Sequence, residues 1–178
     1  MMRSPVLLLA ARPGSRRSAS AGFTLIELMI TLAVAAILVT LAVPSFNEAM
    51  LGSKLNTLSN NFVASAQLAR SEAIKRNTAV TLCASSDGST CTGAWGDGWV
   101  VLATDGTVIS RQIPLPNGFR LSGDVTTIAF QPTGVGATSA VLTLCRATPT
   151  VGTQARTIQL SATGRPGVTK LTGVTTCS

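Results

Sequence analysis

A run of 21 mostly apolar residues, from Phe23 to Val43, limits most strongly what this chain can fold into. An α-helix rises about 1.5 Å per residue, so a helix of this length covers the roughly 30 Å hydrocarbon core of a bilayer. One carboxylate, Glu27, lies inside the run near its start. A charge within a span costs about 2.5–3.5 kcal/mol on insertion scales, so Glu27 is expected to be functional and to have a partner.

The residues before this run predict how the helix is oriented. Arg12, Arg16 and Arg17 precede Gly22, and no acidic residue does. Positive charge on the cytoplasmic side of a span is the general rule, so the N-terminus is expected in the cytoplasm. A secretory signal peptide would have a shorter apolar region followed by an A-x-A-like cleavage site, whereas "LAVPSF" follows here. The sequence therefore predicts a single-pass membrane segment over 23–43.

The span contains no basic residue that would neutralise Glu27. Cleavage between Gly22 and Phe23 would create an α-amine four residues before the carboxylate. That amine would lie one helical turn away in the same chain, or next to Glu27 of a neighbouring chain in a packed bundle. Cleavage at Gly22 would thus supply the missing cation.

The composition argues against catalysis. The chain has no histidine, which excludes a His–Ser or His–Cys dyad and an imidazole metal site. Its seven acidic residues are scattered, without the spacing of metal ligands. We therefore expect no catalytic residue, no metal, no cofactor and no enzymatic activity.

The region 44–77 reads as a second helical segment. Pro44 lacks an N–H group and is predicted to kink or loosen the helix where it leaves the membrane. The helical pattern then resumes with one apolar stripe, formed by Leu51, Leu55, Leu58, Phe62, Ala66, Ala69 and Ala73. Such a stripe indicates a helix packed under a sheet of the same chain; the alternative is that it faces other subunits.

After Asn77 the sequence changes to alternating, β-branched segments. Strands are predicted over 78–84, 98–104, 107–113, 125–130, 140–145, 155–162 and 168–172, with a hairpin turn at 105–106. One helix followed by a run of strands predicts an α+β fold, with a long N-terminal helix packed on an antiparallel β-sheet head over 78–178.

Four cysteines, an even number, suggest disulfide bonds in an exported domain. Three pairings are possible. Proximity in the sequence favours Cys83–Cys91, which leaves Cys145–Cys177. The alternative is four free, buried thiols in a cytosolic fold, which the membrane segment disfavours.

The segment "GFTLIELMITLAVAAILVTLAVPSF" resembles the type III signal sequence of type IV prepilins and type II secretion pseudopilins. The resemblance implies that a prepilin peptidase removes residues 1–22 by cutting between Gly22 and Phe23, and that Phe23 is then N-methylated. It also implies that Glu27 takes part in subunit docking during assembly and that Pro44 lies at the family's helix break.

Sequence segments of the predicted head also resemble those of a protein family. The segments "RSEAIKRN", "WGDGWVVL", "FQPTGVG", "VLTLC" and "TGR" are similar to those of the GspH/FimT group of minor pilins and pseudopilins. This similarity implies a subunit that helps to initiate or cap a type IV pilus or a type II secretion pseudopilus. Its partners would be the peptidase, other minor and major pilins or pseudopilins, and the bacterial inner membrane. Its head would lie in the periplasm.

A second function is considered because the chain is basic, with a formal charge of +7. FimT-like proteins of transformable bacteria carry a C-terminal Gly-Arg-x-Arg motif implicated in DNA binding. Gly164 and Arg165 match it, but Pro166 and Gly167 follow, and the second Arg is absent. Exposed cations contact phosphates without reading sequence. Double-stranded DNA is therefore a candidate partner, with candidate contact residues Arg165, Lys170, Arg156 and Arg146.

Overall fold

The structure, a computed structural model, describes residues 22–135 and 137–177. The chain divides into two compact units, one ending at Ala42 and the other comprising Val43–Ser178. A single long helix, α1 (Leu25–Arg76), contributes to both units. Two basic residues, Lys75 and Arg76, occupy its last turn, where they complement the negative end of the helix dipole.

Within the second unit, one face of α1 supplies part of the hydrophobic core. The predicted apolar stripe is confirmed at six of its seven positions, with Ser59 buried in place of the half-buried Leu58. The Ser59 hydroxyl donates a hydrogen bond to the carbonyl oxygen of Leu55 at 2.8 Å. Because this bond satisfies the hydroxyl within the helix, a serine is tolerated in the core.

Two four-stranded antiparallel sheets form the rest of the head. The first has the strand order β3-β2-β1-β5 and the second the order β4-β6-β7-β8. The strands are β1 (Val80–Ala84), β2 (Trp99–Ala103), β3 (Val108–Gln112), β4 (Phe119–Gly123), β5 (Thr127–Phe130), β6 (Ala140–Arg146), β7 (Gln154–Leu160) and β8 (Pro166–Thr172). The α+β fold with an antiparallel head is confirmed.

Two details of the strands differ from the sequence prediction. β4 was not predicted, because "FRLSG" buries only Leu121 and has no clear alternation. It forms through its pairing with β6, from Phe119 opposite Arg146 to Gly123 opposite Leu142. β8 begins at Pro166 rather than at residue 168. Proline is acceptable there because it is the first residue of an edge strand.

Phe62 lies at the centre of an aromatic cluster between α1 and the first sheet. Its ring packs edge-to-face against Trp95 and Trp99, each with a centroid distance of 5.4 Å. Both indole N–H groups are satisfied: Trp95 donates to the carbonyl oxygen of Val125, and Trp99 donates to the Ser65 hydroxyl at 2.9 Å. The cluster fixes the short 3₁₀ turn Trp95–Asp97 and β2 onto the helix.

Candidate assembly segment and head surface

The predicted cleavage site immediately precedes α1. Gly22 and Phe23 are exposed and lie outside regular secondary structure. Thr24 caps the helix, since its hydroxyl oxygen accepts a hydrogen bond from the backbone N–H of Glu27 at 3.2 Å. Thr24 and Glu27 have the spacing of a capping box, which favours a helix start at this point. The polypeptide at the predicted cut is therefore accessible and directly joined to a well-defined helix end.

Glu27 lies in the first turn of α1 and is exposed. A carboxylate in the first turn also complements the partial positive charge of the helix N-terminus. The apolar side chains that follow are exposed throughout the segment up to Val43. Among the described residues, α1 is the one helix long and apolar enough to cross a membrane. This exposed, apolar surface with a single acidic group is the candidate assembly segment.

Pro44, where the resemblance implies a helix break, does not end the helix. The helix is continuous from Leu25 through Pro44 to Arg76. Proline removes one backbone donor and crowds one carbonyl group, but the residues on either side keep their own helical hydrogen bonds. In a helix of 52 residues, this single defect does not end the secondary structure.

The predicted basic patch on the head does not form as expected, chiefly because Arg156 is buried. Its side chain is 4% exposed. The guanidinium donates hydrogen bonds to Asn56 Oδ1 at 2.8 Å, to the carbonyl oxygen of Ala155 at 2.8 Å and to that of Gly52 at 3.3 Å. Arg156 therefore joins β7 to α1, and the interpretation of it as an exposed DNA contact is corrected.

The other three cations do not form one cluster: Arg146 and Lys170 both interact with the Glu48 carboxylate, whereas Arg165 lies apart from them. Arg146 ends β6 beside the start of β7, whereas Arg165 precedes β8 at the opposite end of β7. Arg146 donates to the carbonyl oxygen of Thr150 at 3.2 Å. Lys170 lies directly across from Arg156 on β8. This arrangement does not support the DNA-binding alternative.

The turn that contains Arg165 is held by local bonds. The Gly164 N–H donates to the carbonyl oxygen of Ser161 at 2.8 Å, and the Arg165 N–H donates to the Ser161 hydroxyl at 3.3 Å. Gly164 has φ +71°, a left-handed conformation that favours glycine, and it is buried against the Arg70 side chain. The glycine of the motif thus has a structural role in the β7–β8 turn.

The sequence did not predict a set of contacts between Glu48 of α1 and the second sheet. The carboxylate of Glu48 accepts hydrogen bonds from the Thr153 hydroxyl and from Gln154 Nε2. These bonds hold the pKa of Glu48 below its usual value. The partners are more than 100 residues apart in the chain, so no local sequence pattern predicts these contacts.

The structure joins Cys83 to Cys91 and Cys145 to Cys177 by disulfide bonds. The first bond closes the loop after β1, and Asp87 organises the residues inside it. The Asp87 carboxylate accepts hydrogen bonds from the Thr90 hydroxyl and from the N–H groups of Ser89 and Thr90. These bonds lower the pKa of Asp87, with the Thr90 hydroxyl as the largest cause.

The lowered pKa predicts a contribution to the pH dependence of head stability. Below the pKa of Asp87 in the unfolded chain, the unfolded state binds the proton that the folded state still excludes. The free energy of unfolding should therefore fall as the pH decreases between about pH 5 and about pH 2. In Asp87→Asn this slope should be smaller, as measured by urea unfolding at several pH values. An identical slope in the variant would contradict the role given to Asp87.

A long helix whose first part exposes mostly apolar side chains and one acidic residue, joined to a head of antiparallel sheets, defines a type IV pilin-like subunit. Comparison with known proteins agrees. Residues 17–43 match the family model of the prokaryotic N-terminal methylation motif. Residues 58–164, more than half of the chain, match the model described as type II transport protein GspH. The chain belongs to the GspH family, a family of structural subunits.

Two crystal structures of the type IV minor pilin FimU from Pseudomonas aeruginosa strain PAO1 share this fold. One matches with a TM-score of 0.51 and 20% identity, covering 65% of this chain and 92% of FimU. The other gives a TM-score of 0.53 and 20% identity, covering 66% of this chain and 89% of FimU. No curated protein matches the sequence.

Proposed function

We propose that this chain is a minor subunit that helps to initiate or cap a type IV pilus or a type II secretion pseudopilus. A role as a minor pilin or pseudopilin follows from the family; its position at the start of the fibre is the proposed step. In this proposal, a prepilin peptidase removes residues 1–22, and methylation of Phe23 follows. The segment 23–43 then anchors the subunit in the bacterial inner membrane with its head in the periplasm, until the subunit enters the fibre.

The observation that carries this proposal is the exposed first turn of α1. Glu27 is the one acidic residue in a segment whose apolar side chains are all exposed, and it forms no ion pair with a described residue. Cleavage after Gly22 would create an α-amine close to this turn. In a bundle of such helices, the Glu27 carboxylate of one subunit and the Phe23 amine of its neighbour would neutralise each other in apolar surroundings, which would favour a fixed register between subunits.

Substitution of Glu27 tests this function. Glu27→Ala should be inserted and processed normally, but its amount in sheared fibres should fall at least about ten-fold, because the neighbouring amine would be left buried without its counter-charge. The measurement is immunoblotting of the membrane and fibre fractions.

Thr24→Val provides a matched control in the same helical turn. It removes the capping hydroxyl, which costs on the order of 1 kcal/mol of helix stability, but leaves the carboxylate in place. This variant should enter fibres at close to the wild-type level. Normal incorporation of Glu27→Ala, or an equal loss in both variants, would contradict a docking role for the charge.

A further inference from the structure

The edge strand β8 leaves one side of the second sheet uncovered. It pairs with β7 over its whole length, from Pro166 opposite Leu160 to Thr172 opposite Gln154, and no strand of the described residues lies on its other side. Six of its seven residues are exposed, the largest exposed share of any described strand. The chain after β8 turns back towards β6, where Cys177 bonds to Cys145, and so does not cover this edge.

The same strand carries an unbalanced positive charge. Lys170 and Arg156 are directly opposite on β8 and β7, so both side chains belong to one face of the sheet. That face borders a polar groove beside α1, lined among others by Gly52, Asn56 and Asn60. Like charges placed directly opposite one another destabilise a sheet unless they are compensated.

The described residues supply only part of this compensation. Neither cation forms an ion pair, because both described ion pairs belong to Glu72. Glu48 lines the groove and its negative charge acts on Lys170, but one carboxylate does not balance both Lys170 and Arg156. The three hydrogen-bond acceptors of Arg156 are neutral, although a buried charge is normally paired.

We propose that β8 accepts an extended, acidic segment of a neighbouring subunit as a fifth antiparallel strand. An added strand would lie about 4.8 Å from β8, and its alternate side chains would face the groove. A carboxylate opposite Lys170 would extend the row formed by Arg156 and Lys170 and, together with Glu48, would balance its two positive charges. This inference rests on the proposed function, because it requires a neighbour in the assembly.

Two observations identify the occupant as an acidic strand. The unpaired backbone N–H and C=O groups of β8 can form hydrogen bonds with another strand. The positive charges of Lys170 and Arg156 favour a carboxylate on that strand. The opposite face of β8 presents Leu171, which is 41% exposed and would contact an apolar residue next to the acid. The expected segment therefore alternates an acidic residue with apolar neighbours.

Peptide titration of the full chain in neutral detergent micelles tests this inference without a fibre. The probe is N-acetylated Thr-Val-Glu-Val-Thr amide, followed through the backbone amide NMR signals of β8 and the side-chain amide signal of Asn56. We expect saturable shifts of both sets of signals. The twin peptide with Gln in place of Glu should bind about five-fold more weakly, which is the effect of one favourable ion pair near the surface.

Matched variants locate the contact. Lys170→Gln should weaken binding of the Glu peptide by about five-fold and remove the difference between the two peptides. Arg165→Gln, an exposed change before the same strand, should leave both affinities unchanged. Thr-Pro-Glu-Pro-Thr retains the charge but cannot form a ladder, and it should not bind.

Other results would overturn the proposal. Equal binding of the Glu and Gln peptides, or binding of the Pro peptide, would exclude an acidic added strand. Shifts produced by inorganic phosphate alone, with none from the Glu peptide, would instead indicate a simple anion site. None of these outcomes depends on Glu27. Failure here is therefore distinguishable from failure of fibre assembly in Glu27→Ala.

Discussion

A Gly22→Val chain is expected to remain uncleaved, with no detectable processed product. A β-branched side chain before the cut adds bulk where glycine has none, and the proposed peptidase would have to accommodate it next to the bond that it cleaves. The substitution should not disturb folding, because a Cβ atom at Gly22 would meet no atom within 4 Å. Immunoblotting of membranes with and without co-expressed prepilin peptidase measures the shift between precursor and mature chain.

Gly96→Val is the matched control for processing. It makes the same chemical change at a glycine of the head that also has open space around it. It should be processed like the wild type, which would show that added bulk matters only at the cut. A mature chain beginning at Phe23 in the Gly22→Val sample, identified by mass spectrometry, would refute the predicted site.

Phe62→Ala is expected to lower the free energy of unfolding of the head by about 3–5 kcal/mol. The Phe62 side chain is fully buried between Trp95 and Trp99, so truncation removes apolar contacts from both rings and leaves a cavity. Domains of this kind are typically stable by about 5–15 kcal/mol, so the loss is a large share of the total. Urea unfolding of the full chain in neutral detergent, followed by tryptophan fluorescence, provides the measurement.

Ile74→Ala serves as the comparison on the same helix. Ile74 is 50% exposed, so its truncation should cost less than about 1 kcal/mol. A similar loss in the two variants would mean that Phe62 does not hold the aromatic cluster together. A loss below about 1 kcal/mol in Phe62→Ala would show that the tryptophans close the cavity by moving together.

Local patterns in the sequence predicted much of this architecture, because each pattern has a direct physical cause. The spacing from Leu51 to Ala73 follows the turn of a helix, and this face is buried. The Asp105–Gly106 pair predicts the turn between β2 and β3, and Gly106 has φ +82° there. The same reasoning could not predict β4, whose five residues form a strand only because β6 lies beside them.

The head surface was harder to predict, because exposure depends on contacts between distant parts of the chain. The sequence presents Arg156 as one of several cations among polar and apolar residues. Its burial depends on Gly52 and Asn56, about 100 residues earlier, which provide the hydrogen-bond acceptors. Conversely, the sequence alone is enough to propose a role for Glu27, because a single charge in an apolar run is a local signal.

The bond between Cys145 and Cys177 has a consequence for how copies of the chain can interact. It closes a covalent ring, with a sequence separation of 32, that contains both β7 and β8. In an oxidised copy this ring ties both ends of the β7–β8 segment to β6, which limits how far these strands can move and so disfavours their exchange between copies. Addition along the edge of the sheet is thus favoured over exchange of strands, and reduction of the bond would weaken this preference.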